Sequence, residues 1–566
     1  MNHPLDRRQP PGSPSRLFAS RRQVLALMGL GAATLASGGA LAACSKEPGG
    51  AGRATDVTGI DAILPAYKPL DLVKPDIAGV RPVPDGYLSY PKTLVDAITD
   101  KPGKGGQKIT AMTPWWGPTP PGLGNNSYYA AVNAELGVDV DFSVQDGNTY
   151  ADKLSAVIGA RDVPDLLCVP SWEYPKIPRF SEAVAALFED LTPYLAGEAV
   201  NAYPMLANLP TSAWRHAVWG GKLAAIPWPN DGAPFPWALF YRKDLFDAQG
   251  LTYPKTLDEL LTVARQVTDP AKGVWAFNNV FDIVQMIHKV PGAEGGWRRN
   301  PDGSLTHKYE TQEYRTALEV TAQIYKEGLV HPDLVASEGG DSKQLFRSGK
   351  ILFMQDGPGA WQGMQRDESK VTPGFNMQPV PFFAADGGDP LIWSADAPVF
   401  YTFVKKGLGE ERTKELLGVL NWAASPLGTK EFELLKYGEE GKHFNRTPEG
   451  PVLTELAQTE IADQFFFLAG RAPAIIGSPE TPNFVREMIT FANAGVEFLE
   501  PNPWQGIKLE WPSAYSAVNQ PTEDAITDIV RGRRPISDLD AIVAEWRTGG
   551  DVGREFLRQA LADNNR

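Results

Sequence analysis

Strand-like and helix-like segments alternate along the chain between residues 108 and 169. Short apolar or alternating runs predict strands, and ten-residue stretches with apolar residues on one face predict helices. The predicted strands are residues 108–113, 138–144 and 165–169, and the predicted helices are residues 127–136 and 150–159. Because a strand, a helix and a parallel strand join by a right-handed crossover, this order predicts a mainly parallel open sheet of the α/β class. Ligands of such sheets bind beyond the carboxyl ends of the strands.

The same rhythm continues over the rest of the 566 residues, 43% of which are hydrophobic, so the chain is long enough for two or more domains. A strand is predicted at residues 237–241 and a helix at 257–267, with Thr256 or Asp258 as its N-cap. The end of a helix, a glycine and a strand are predicted at residues 345–356. Further helices are predicted at residues 312–327, 408–424 and 482–493.

The first 44 residues predict an export signal with a lipid anchor. Arg21 and Arg22 stand before an uncharged apolar run, residues 23–43, which is followed by Cys44 in the sequence L-A-A-C. A positive flank, an apolar stretch and small residues before a cleavage point are typical of a signal peptide. The arginine pair suits the twin-arginine route, although Val24 stands where that pattern usually has Phe. L-A-A-C resembles a bacterial lipobox, so Cys44 is the predicted lipidation site.

A transmembrane helix is the alternative for this run, because about 20 apolar residues can span a bilayer. The four glycines among residues 23–43 argue against it. With a lipidated Cys44, the protein is expected on the extracellular face of the cell membrane. Residues 46–67, rich in Gly, Ala and Pro, are expected to form a flexible spacer.

Charge and cysteine content argue against several classes of protein. The formal net charge of −14 at pH 7 argues against binding to nucleic acid or to anionic lipid surfaces. Cys44 and Cys168 are the two cysteines of the sequence, so no disulfide can form once Cys44 is lipidated. Cys168 lies in the run D-L-L-C-V-P and is expected to be an inert thiol in the core.

Tryptophans in turn-like contexts are the strongest signal for function. The chain has 15 Trp and 49 Pro, and several Trp stand beside Pro or Gly, as in T-P-W-W-G-P, P-S-W-E-Y-P and I-P-W-P-N-D. Such residues form rigid apolar platforms that suit the faces of sugar rings. The alternative is that most of these Trp pack in the core. The predicted stacking residues are Trp115, Trp116, Trp172, Trp228, Trp361 and Trp393.

Carboxylates near these tryptophans are the predicted acceptors for sugar hydroxyls, since a carboxylate takes two or more charge-assisted hydrogen bonds. The predicted residues are Asp231, Asp356 and Asp396. Each of them could instead cap a turn or remain a solvated charge.

Several segments carry a resemblance to a known family. They are Y-A-D-K-L-S-A-V-I-G-A-R-D-V-P-D-L (residues 150–166), G-G-K-L-A-A-I-P-W (220–228), the segment 238–260 and F-R-S-G-K-I-L-F-M-Q-D-G-P (346–358). They resemble motifs of extracellular solute-binding protein family 1, the sugar-binding lipoproteins of ABC importers. Residues 517–546 resemble the C-terminal helices of its large Paenibacillus-type lipoprotein subgroup.

The resemblance implies a two-lobed periplasmic-binding-protein-like type II fold, each lobe a mainly parallel sheet flanked by helices, with hinge crossings near residues 230–237 and 381–393. The implied organisation is a signal peptide (1–43), a lipidated cysteine with a flexible tether and an N-terminal extension (44–105), lobe 1 (106–235), lobe 2 (236–385), a return to lobe 1 (386–440), and C-terminal helices that complete both lobes (441–566).

The implied function is capture of a sugar or oligosaccharide in the cleft by hinge closure, without bond breaking, and delivery to the permease subunits of an ABC importer. A monomer without a cofactor is expected. Some alginate-binding relatives carry a calcium loop rich in Asp and Asn. The corresponding residues here, 268–277, offer too few oxygen ligands, so no metal is predicted at that place.

Two other classes of function stay open. The sequence has no G-x-S-x-G, H-E-x-x-H, G-x-x-x-x-G-K-[ST] or C-x-x-C motif, and its six His show no metal-ligand spacing. A secreted carbohydrate-active enzyme is the first alternative, because a glycosidase needs only two facing carboxylates and 68 acidic residues are present. An adhesive or scaffold lipoprotein, the second alternative, would have no cleft.

Overall fold

The structure is a computed structural model that describes residues 52–229, 234–292, 294–336, 341–394 and 398–565. The predicted signal peptide with Arg21 and Arg22, the lipidation site Cys44, and the predicted acceptors Asp231 and Asp396 lie outside the described residues. Within the described ranges, every helix is too short or too polar to cross a membrane.

Two larger sheets form the centres of two lobes. Their strands, in chain order, are β1 (Ile109–Trp115), β2 (Val140–Asp146), β3 (Leu166–Pro170), β4 (Ala225–Trp228), β5 (Ala238–Arg242), β6 (Trp275–Phe277), β7 (Ile351–Asp356), β8 (Met377–Pro379) and β9 (Phe400–Val404). Lobe 1 has the strand order β2-β1-β3-β9-β4, and lobe 2 has the order β6-β7-β5-β8.

Each sheet contains one strand that runs against its neighbours. In lobe 1, β9 is antiparallel to β3 and β4, while β1 is parallel to β2 and β3. In lobe 2, β5 is antiparallel to β7 and β8, and β6 is parallel to β7. The mainly parallel sheet predicted for residues 108–169 is confirmed. As a result, β9 and β5 begin at the edge where the other strands of their sheets end.

The chain passes between the two sheets at these same edges. It leaves lobe 1 at the end of β4 and enters lobe 2 at the start of β5. It leaves the lobe 2 sheet at the end of β8 and returns to lobe 1 at Phe400. Ile392 still packs in the lobe 2 core, so lobe 1 resumes nearer to Phe400 than to residue 386, the predicted boundary.

Helices cover both sheets. The helices that pack on lobe 1 are Ser127–Leu136, Tyr150–Gly159, Phe180–Leu187, Thr192–Leu195, Pro204–Ala207, Thr211–Arg215, Glu410–Ala423, Lys430–Tyr437, Glu455–Glu460 and Gln464–Leu468. Those of lobe 2 are Lys243–Ala248, Leu257–Val267, Phe281–Ile287, Gln312–Lys326, Pro332–Ala336, Ser342–Arg347, Ala360–Val371, Phe484–Val496, Ser513–Val530 and Leu539–Asp563.

Short strand pairs lie outside the two larger sheets. The antiparallel pairs are Arg53–Ala54 with Leu509–Glu510, Val218–Trp219 with Lys222–Leu223, Trp297–Arg299 with Leu305–His307, and Phe444–Thr447 with Gly450–Leu453. The parallel pairs are Asp85–Tyr87 with Ala474–Ile476, and Ile392–Trp393 with Leu499–Glu500.

Local capping explains the bounds of the helices that were predicted correctly. The Asn126 side chain accepts a hydrogen bond from the Tyr129 backbone N–H at 3.0 Å, and Gly137 ends that helix at φ 70°. The predicted helix at residues 257–267 is confirmed as well. Its N-cap is Thr256 rather than Asp258, because the Thr256 hydroxyl accepts from the Glu259 N–H at 3.2 Å.

Each lobe has its own hydrophobic core. Cys168 is fully buried in lobe 1, and burial raises the pKa of its thiol, as expected for an inert core cysteine. In lobe 2, Phe353 and Trp546 are fully buried, so the long C-terminal helix is part of that core.

The segment before β1 packs against the rest of the described chain. Arg53–Ala54 pairs with Leu509–Glu510, and Ile60 and Leu64 are buried in the lobe 1 core. The prediction of a flexible spacer over residues 46–67 is therefore wrong from Arg53 onward. Composition alone did not show that this Gly- and Ala-rich segment contains apolar side chains that the lobe buries.

A buried carboxylate holds the start of the helix Ser127–Leu136. Glu460 Oε2 accepts hydrogen bonds from the backbone N–H groups of Ser127 (2.9 Å) and Tyr128 (3.2 Å) and from the Ser127 hydroxyl. His443 Nε2 lies 3.2 Å from the same oxygen. Burial alone would raise the pKa of Glu460, but these hydrogen bonds outweigh it and lower the pKa.

Glu460→Gln is expected to lower the free energy of unfolding by about 1–3 kcal/mol at pH 7, because it removes charge-assisted bonds from a buried site. A carboxylate with a lowered pKa stabilises the folded state above its unfolded pKa, about 4.3, and this stabilisation is lost as the pH falls through the folded value. Urea unfolding of wild type and variant between pH 3 and pH 7 measures both effects.

The matched control is Glu455→Gln, which changes an exposed glutamate of the same helix and should alter unfolding by less than about 0.5 kcal/mol. A difference between wild type and the Glu460 variant that stays constant down to pH 3 would contradict the capping role of the ionised carboxylate.

Candidate functional site

Aromatic side chains gather where the strands of lobe 1 end. Trp115 is the last residue of β1, Trp172 lies two residues beyond β3, and Trp228 is the last residue of β4. Phe400 joins them because β9 runs in the opposite direction and begins at this edge. The chain thus collects, from four strands, side chains that are far apart in sequence.

Trp115, Trp116, Trp172, Trp228, Phe400 and Phe467 form one group of contacting rings, which we name the lobe 1 aromatic cluster. Ring centroids lie 5.5 Å apart for Trp172 and Phe400, and 6.0 Å apart for Trp116 and Trp172. Trp116 and Trp172 are each 44% exposed, whereas Phe400 is buried. Two indole rings therefore face solvent on a packed aromatic base.

Backbone contacts fix two of these rings. A Cβ added to Gly147, directly after β2, would lie 2.2 Å from Cε2 of Trp116, so only glycine lets this ring rest against the backbone. Trp115 Nε1 donates a hydrogen bond to the Pro118 carbonyl at 3.0 Å. The ring of Trp115 is half-buried and packs 6.3 Å from Phe467.

Trp228 packs in the buried base of the cluster. Its ring is 8% exposed and lies 5.0 Å from Phe400 with 26° between the ring planes. The Arg471 guanidinium lies 5.5 Å from the same ring. Trp228 therefore has little surface left for a ligand, in contrast to the stacking surface predicted for it.

A cavity of about 440 Å³ lies on lobe 2 beside the crossings between the lobes, and we name it the lobe 2 cavity. Trp237, immediately before β5, and Trp393 contribute aromatic surface to it. Asp282, Lys308 and Glu523 contribute charge. The cavity thus combines aromatic faces with hydrogen-bonding groups, as binding sites for small polar molecules do.

Of the two tryptophans of this cavity, one was predicted from the sequence and the other was not. Trp393 was predicted, and it is held by a hydrogen bond from Nε1 to the Val290 carbonyl (3.0 Å) and by close contact with Gly292. Trp237, which is 37% exposed, was missed as a site residue. It follows Pro236, so the proline context that revealed the other tryptophans could have found it.

Trp361 does not lie in the site. It is 1% exposed, and its ring packs against Phe240, Phe484 and Phe491 in the lobe 2 core. Its Nε1 donates to the Met377 carbonyl at 2.8 Å. The predicted stacking surface is therefore wrong for Trp361, because P-G-A-W is the start of a helix whose apolar side faces the sheet.

Asp356 ends β7, at the edge of lobe 2 that carries the crossings. Its Oδ1 accepts from the Gly357 N–H at 2.8 Å, and its Oδ2 lies 3.4 Å from Lys343 Nζ. Asp356 is placed near β5 but outside the lining of the lobe 2 cavity. Its role as a ligand acceptor stays a prediction.

The two aromatic surfaces flank the same crossings. Trp228 is the last residue of the lobe 1 sheet before the chain enters lobe 2, and Phe400 is the first residue of that sheet after the chain returns. Both lie at the base of the lobe 1 aromatic cluster. Trp237 and Trp393, in the lobe 2 cavity, lie within the two crossing segments themselves. Aromatic side chains of both lobes therefore lie beside the segments that connect the lobes.

The described residues offer no metal site, and the group of Ser127, His443 and Glu460 is not arranged as a catalytic triad. No group of three His, Cys, Asp or Glu side chains among them could hold a metal ion. His443 Nδ1 accepts from the Glu439 N–H at 3.1 Å, so the ring carries its proton on Nε2, which faces Ser127 and Glu460. In this tautomer the imidazole has no lone pair with which to activate the Ser127 hydroxyl.

A second cavity of about 330 Å³ lies on lobe 1 at a different place. It is lined by Arg53, Glu189, Lys406 and Lys508, among others. Glu189 and Lys406 adjoin the end of β9. Phe400 is at the start of β9, so the two places are at opposite edges of the sheet. This cavity therefore lies away from the lobe 1 aromatic cluster.

Substitution separates tryptophans that hold the fold from those on the surface. Trp361→Ala is expected to lower the free energy of unfolding by about 3–5 kcal/mol, because it empties a buried indole site. Trp116→Ala, at a half-exposed ring, should cost less than about 2 kcal/mol. Chemical unfolding monitored by circular dichroism measures both, and equal losses would contradict the placement of Trp361 in the core.

Sequence comparison identifies relatives of known binding type. A family model for bacterial extracellular solute-binding proteins matches residues 122–426. The polygalacturonan/rhamnogalacturonan-binding protein YtcQ of Bacillus subtilis (strain 168) is 22% identical over 311 residues, 52% of this chain and 59% of the relative. The melibiose/raffinose/stachyose-binding protein MelE of the same organism is 24% identical over 265 residues, 44% of this chain and 54% of the relative. The matches thus span less than two thirds of either curated relative.

Solved structures share the fold. The alginate-binding protein AlgQ2 without calcium ion has a TM-score of 0.58 at 16% identity, covering 82% of this chain and 99% of that chain. The N-glycan transport solute-binding protein NgtS from Streptococcus pneumoniae, in complex with Man1GlcNAc, has a TM-score of 0.57 at 14% identity, with coverage of 81% and 99%. At these identities the likeness is one of architecture, and it confirms the two-lobed type II fold. The family-model match over residues 122–426, more than half of the chain, shows that the chain belongs to the bacterial extracellular solute-binding protein family.

Proposed function

We propose that this protein captures a sugar or an oligosaccharide between its lobes and delivers it to the permease subunits of an ABC importer. The observation that carries the proposal is the pair of exposed aromatic surfaces beside the crossings, Trp116 and Trp172 on lobe 1 and Trp237 and Trp393 on lobe 2. The names of the relatives YtcQ and MelE, both saccharide-binding proteins, support the same class of ligand.

Stacking on indole rings accounts for the expected affinity. A sugar that covers one face of a Trp removes on the order of 100 Å² of apolar surface from water, which contributes roughly 2 kcal/mol. Three such contacts with a few hydrogen bonds reach micromolar binding after the cost of ordering the partners. Trp115 and Trp228 support the lobe 1 surface, and Asp231, Asp356 and Asp396 are proposed acceptors for sugar hydroxyls.

Hinge closure is the proposed mechanism. A ligand that contacts both lobes binds the closed form better than the open form, so the closed population rises by the ratio of the two affinities. Chemistry on the ligand is not required. The alternative of a secreted carbohydrate-active enzyme has less support, because the matching family model and the relatives YtcQ and MelE are of binding proteins.

The proposed location is the extracellular face of the cell membrane, with Cys44 lipidated after export through the signal at Arg21 and Arg22. A receptor tethered in this way stays close to its permease. The protein is proposed to act as a monomer.

Removing an exposed indole ring should weaken ligand binding. Trp116→Ala and Trp172→Ala are each expected to raise the Kd for the tightest-binding neutral oligosaccharide of a screen by about tenfold or more, since each ring contributes roughly 2 kcal/mol of contact. Isothermal titration calorimetry on the purified protein measures the change. The control Tyr67→Ala removes an aromatic ring that is 50% exposed and outside both aromatic surfaces, and should leave Kd within twofold. If both Trp variants bind the ligand with unchanged affinity, the lobe 1 aromatic cluster is not part of the binding site.

Lipid anchoring depends on one thiol. Cys44→Ser is expected to move the protein from the membrane fraction to the soluble fraction of the expressing bacterium, because a hydroxyl cannot take the diacylglyceryl thioether. Cys168→Ser, at the other cysteine, should leave the protein in the membrane fraction. Fractionation with immunoblotting measures both, and membrane retention of the Cys44 variant would contradict the anchor.

A further inference from the structure

Three charged side chains line the lobe 2 cavity without forming ion pairs with one another. Asp282, Lys308 and Glu523 all contribute to its wall. In the part of the chain that the structure describes, none of the three forms an ion pair. Two carboxylates and one ammonium group give this wall a formal charge of −1, and their hydrogen-bonding capacity is largely unused.

The Asp282 carboxylate is fixed by lobe 2 through one of its oxygens. Gln355 Nε2 donates to Asp282 Oδ2 at 2.8 Å. Gln355 is in turn held by the Ile283 N–H, which donates to its Oε1 at 3.0 Å, and by Asn278 Oδ1, which accepts from its backbone N–H at 2.9 Å. Asp282 Oδ1 has only a 3.5 Å contact with Gln285 Nε2, so this oxygen is left for a ligand.

The Glu523 carboxylate is oriented in a similar way by its own helix, Ser513–Val530. Asn519 Nδ2 donates to Glu523 Oε1 at 3.1 Å. Within the described residues, Glu523 Oε2 accepts no hydrogen bond. The cavity therefore presents two carboxylate oxygens, from two different elements, that can accept hydrogen bonds from a bound molecule.

Lys308 is held by rings rather than by these carboxylates. Its Nζ lies 5.5 Å from the ring centroid of Tyr309 and 5.7 Å from that of Tyr314. A Cβ on Gly296 would lie 2.8 Å from Lys308 Cδ, so the lysine stem rests against the Gly296 backbone. Burial lowers the pKa of Lys308, while Asp282 and Glu523 act to raise it. A single ammonium group in this position cannot neutralise both carboxylates.

We propose that Asp282 and Glu523 determine specificity, selecting uncharged saccharides and excluding saccharides that carry carboxylates, such as oligogalacturonates. The inference rests on the proposed function above. A sugar hydroxyl has a hydrogen to donate to each free carboxylate oxygen, whereas a uronate carboxylate has none and brings a third negative charge into the cavity. Repulsion between like charges disfavours the acidic ligand and leaves the neutral one unaffected.

Two further carboxylates near the crossings are each paired with a lysine. Glu173 follows Trp172 directly and is paired with Lys176 at 3.0 Å, so that lysine is already occupied. Asp356 in lobe 2 is paired with Lys343. Lys176 and Lys343 are thus engaged, and Lys308 is outnumbered by Asp282 and Glu523, so we expect a preference that differs from the polygalacturonan binding named for the relative YtcQ.

The test compares a neutral and an acidic tetrasaccharide that differ in their carboxylates, together with a second neutral tetrasaccharide. Isothermal titration calorimetry at low ionic strength is performed on the purified protein with α-1,4-galactotetraose, with tetragalacturonate and with stachyose. We expect wild type to bind at least one neutral tetrasaccharide at least about tenfold more tightly than tetragalacturonate. The double variant Asp282→Asn/Glu523→Gln should narrow this ratio by about tenfold or more, because it removes both charges and keeps the shapes.

Asp524→Asn is the matched control. Asp524 is an exposed neighbour on the same helix and accepts from Gln520 Nε2 at 2.9 Å, as Glu523 does from Asn519, but it does not line the cavity. Asp524→Asn raises the net charge by one unit, half the change in the double variant, and should leave the affinity ratio unchanged. The ratio of the two affinities is measured in every variant whose melting curve by circular dichroism matches that of wild type.

The outcomes separate this inference from the proposed function. The specificity role is overturned, while saccharide binding stands, if wild type binds tetragalacturonate as tightly as the neutral ligands. It is also overturned if the double variant leaves the affinity ratio of neutral to acidic ligand unchanged. If Asp524→Asn narrows the affinity ratio as much as the double variant does, the effect comes from net charge, and the specificity role is overturned as well. No binding of any saccharide, neutral or acidic, would overturn both.

Discussion

The structure depends on a constraint set by strand direction. In each lobe one strand, β9 or β5, runs against its neighbours and so begins at the edge where the other strands end. Because the chain crosses between the lobes at these same edges, the loops that follow the parallel strands of both sheets lie beside the crossings. Side chains as distant in sequence as Trp116 and Phe400 thereby meet at one place, and this place is where open α/β sheets bind ligands.

Packing behind that edge decides which side chains are available. Phe400 and Phe467 are buried and carry the exposed rings of Trp116 and Trp172, while Gly147 allows one of these rings to rest on the backbone. Rings held in this way lose little freedom when a ligand binds, which favours affinity. In lobe 2 the same principle applies to Asp282, whose orientation is fixed by Gln355 before any ligand arrives. The two walls are thus preorganised, one by aromatic contacts and the other by hydrogen bonds.

The sequence predicted local structure better than the environment of single side chains. Helices at residues 127–136, 150–159 and 257–267 were correct because caps and apolar periodicity are local signals. Trp361 was misplaced because the same Pro-Gly context that precedes a loop can also precede a helix, and only tertiary packing decides between them. Asp282 and Glu523 were missed because their proximity arises from helices far apart in the chain, whereas Trp237 was missed although its Pro236 context is a local signal. The packed segment from Arg53 was missed for the same reason, since burial of Ile60 and Leu64 requires a partner surface.

A crystal structure of the protein with its bound ligand tests the central claim most directly. The account predicts an uncharged oligosaccharide between the lobes, with sugar rings on the faces of Trp116 or Trp172 and of Trp237 or Trp393, and with hydroxyls within hydrogen-bonding distance of Asp282 and Glu523. A ligand held in the lobe 1 cavity lined by Arg53 and Lys406, or one that contacts a single lobe without touching these tryptophans, would contradict it.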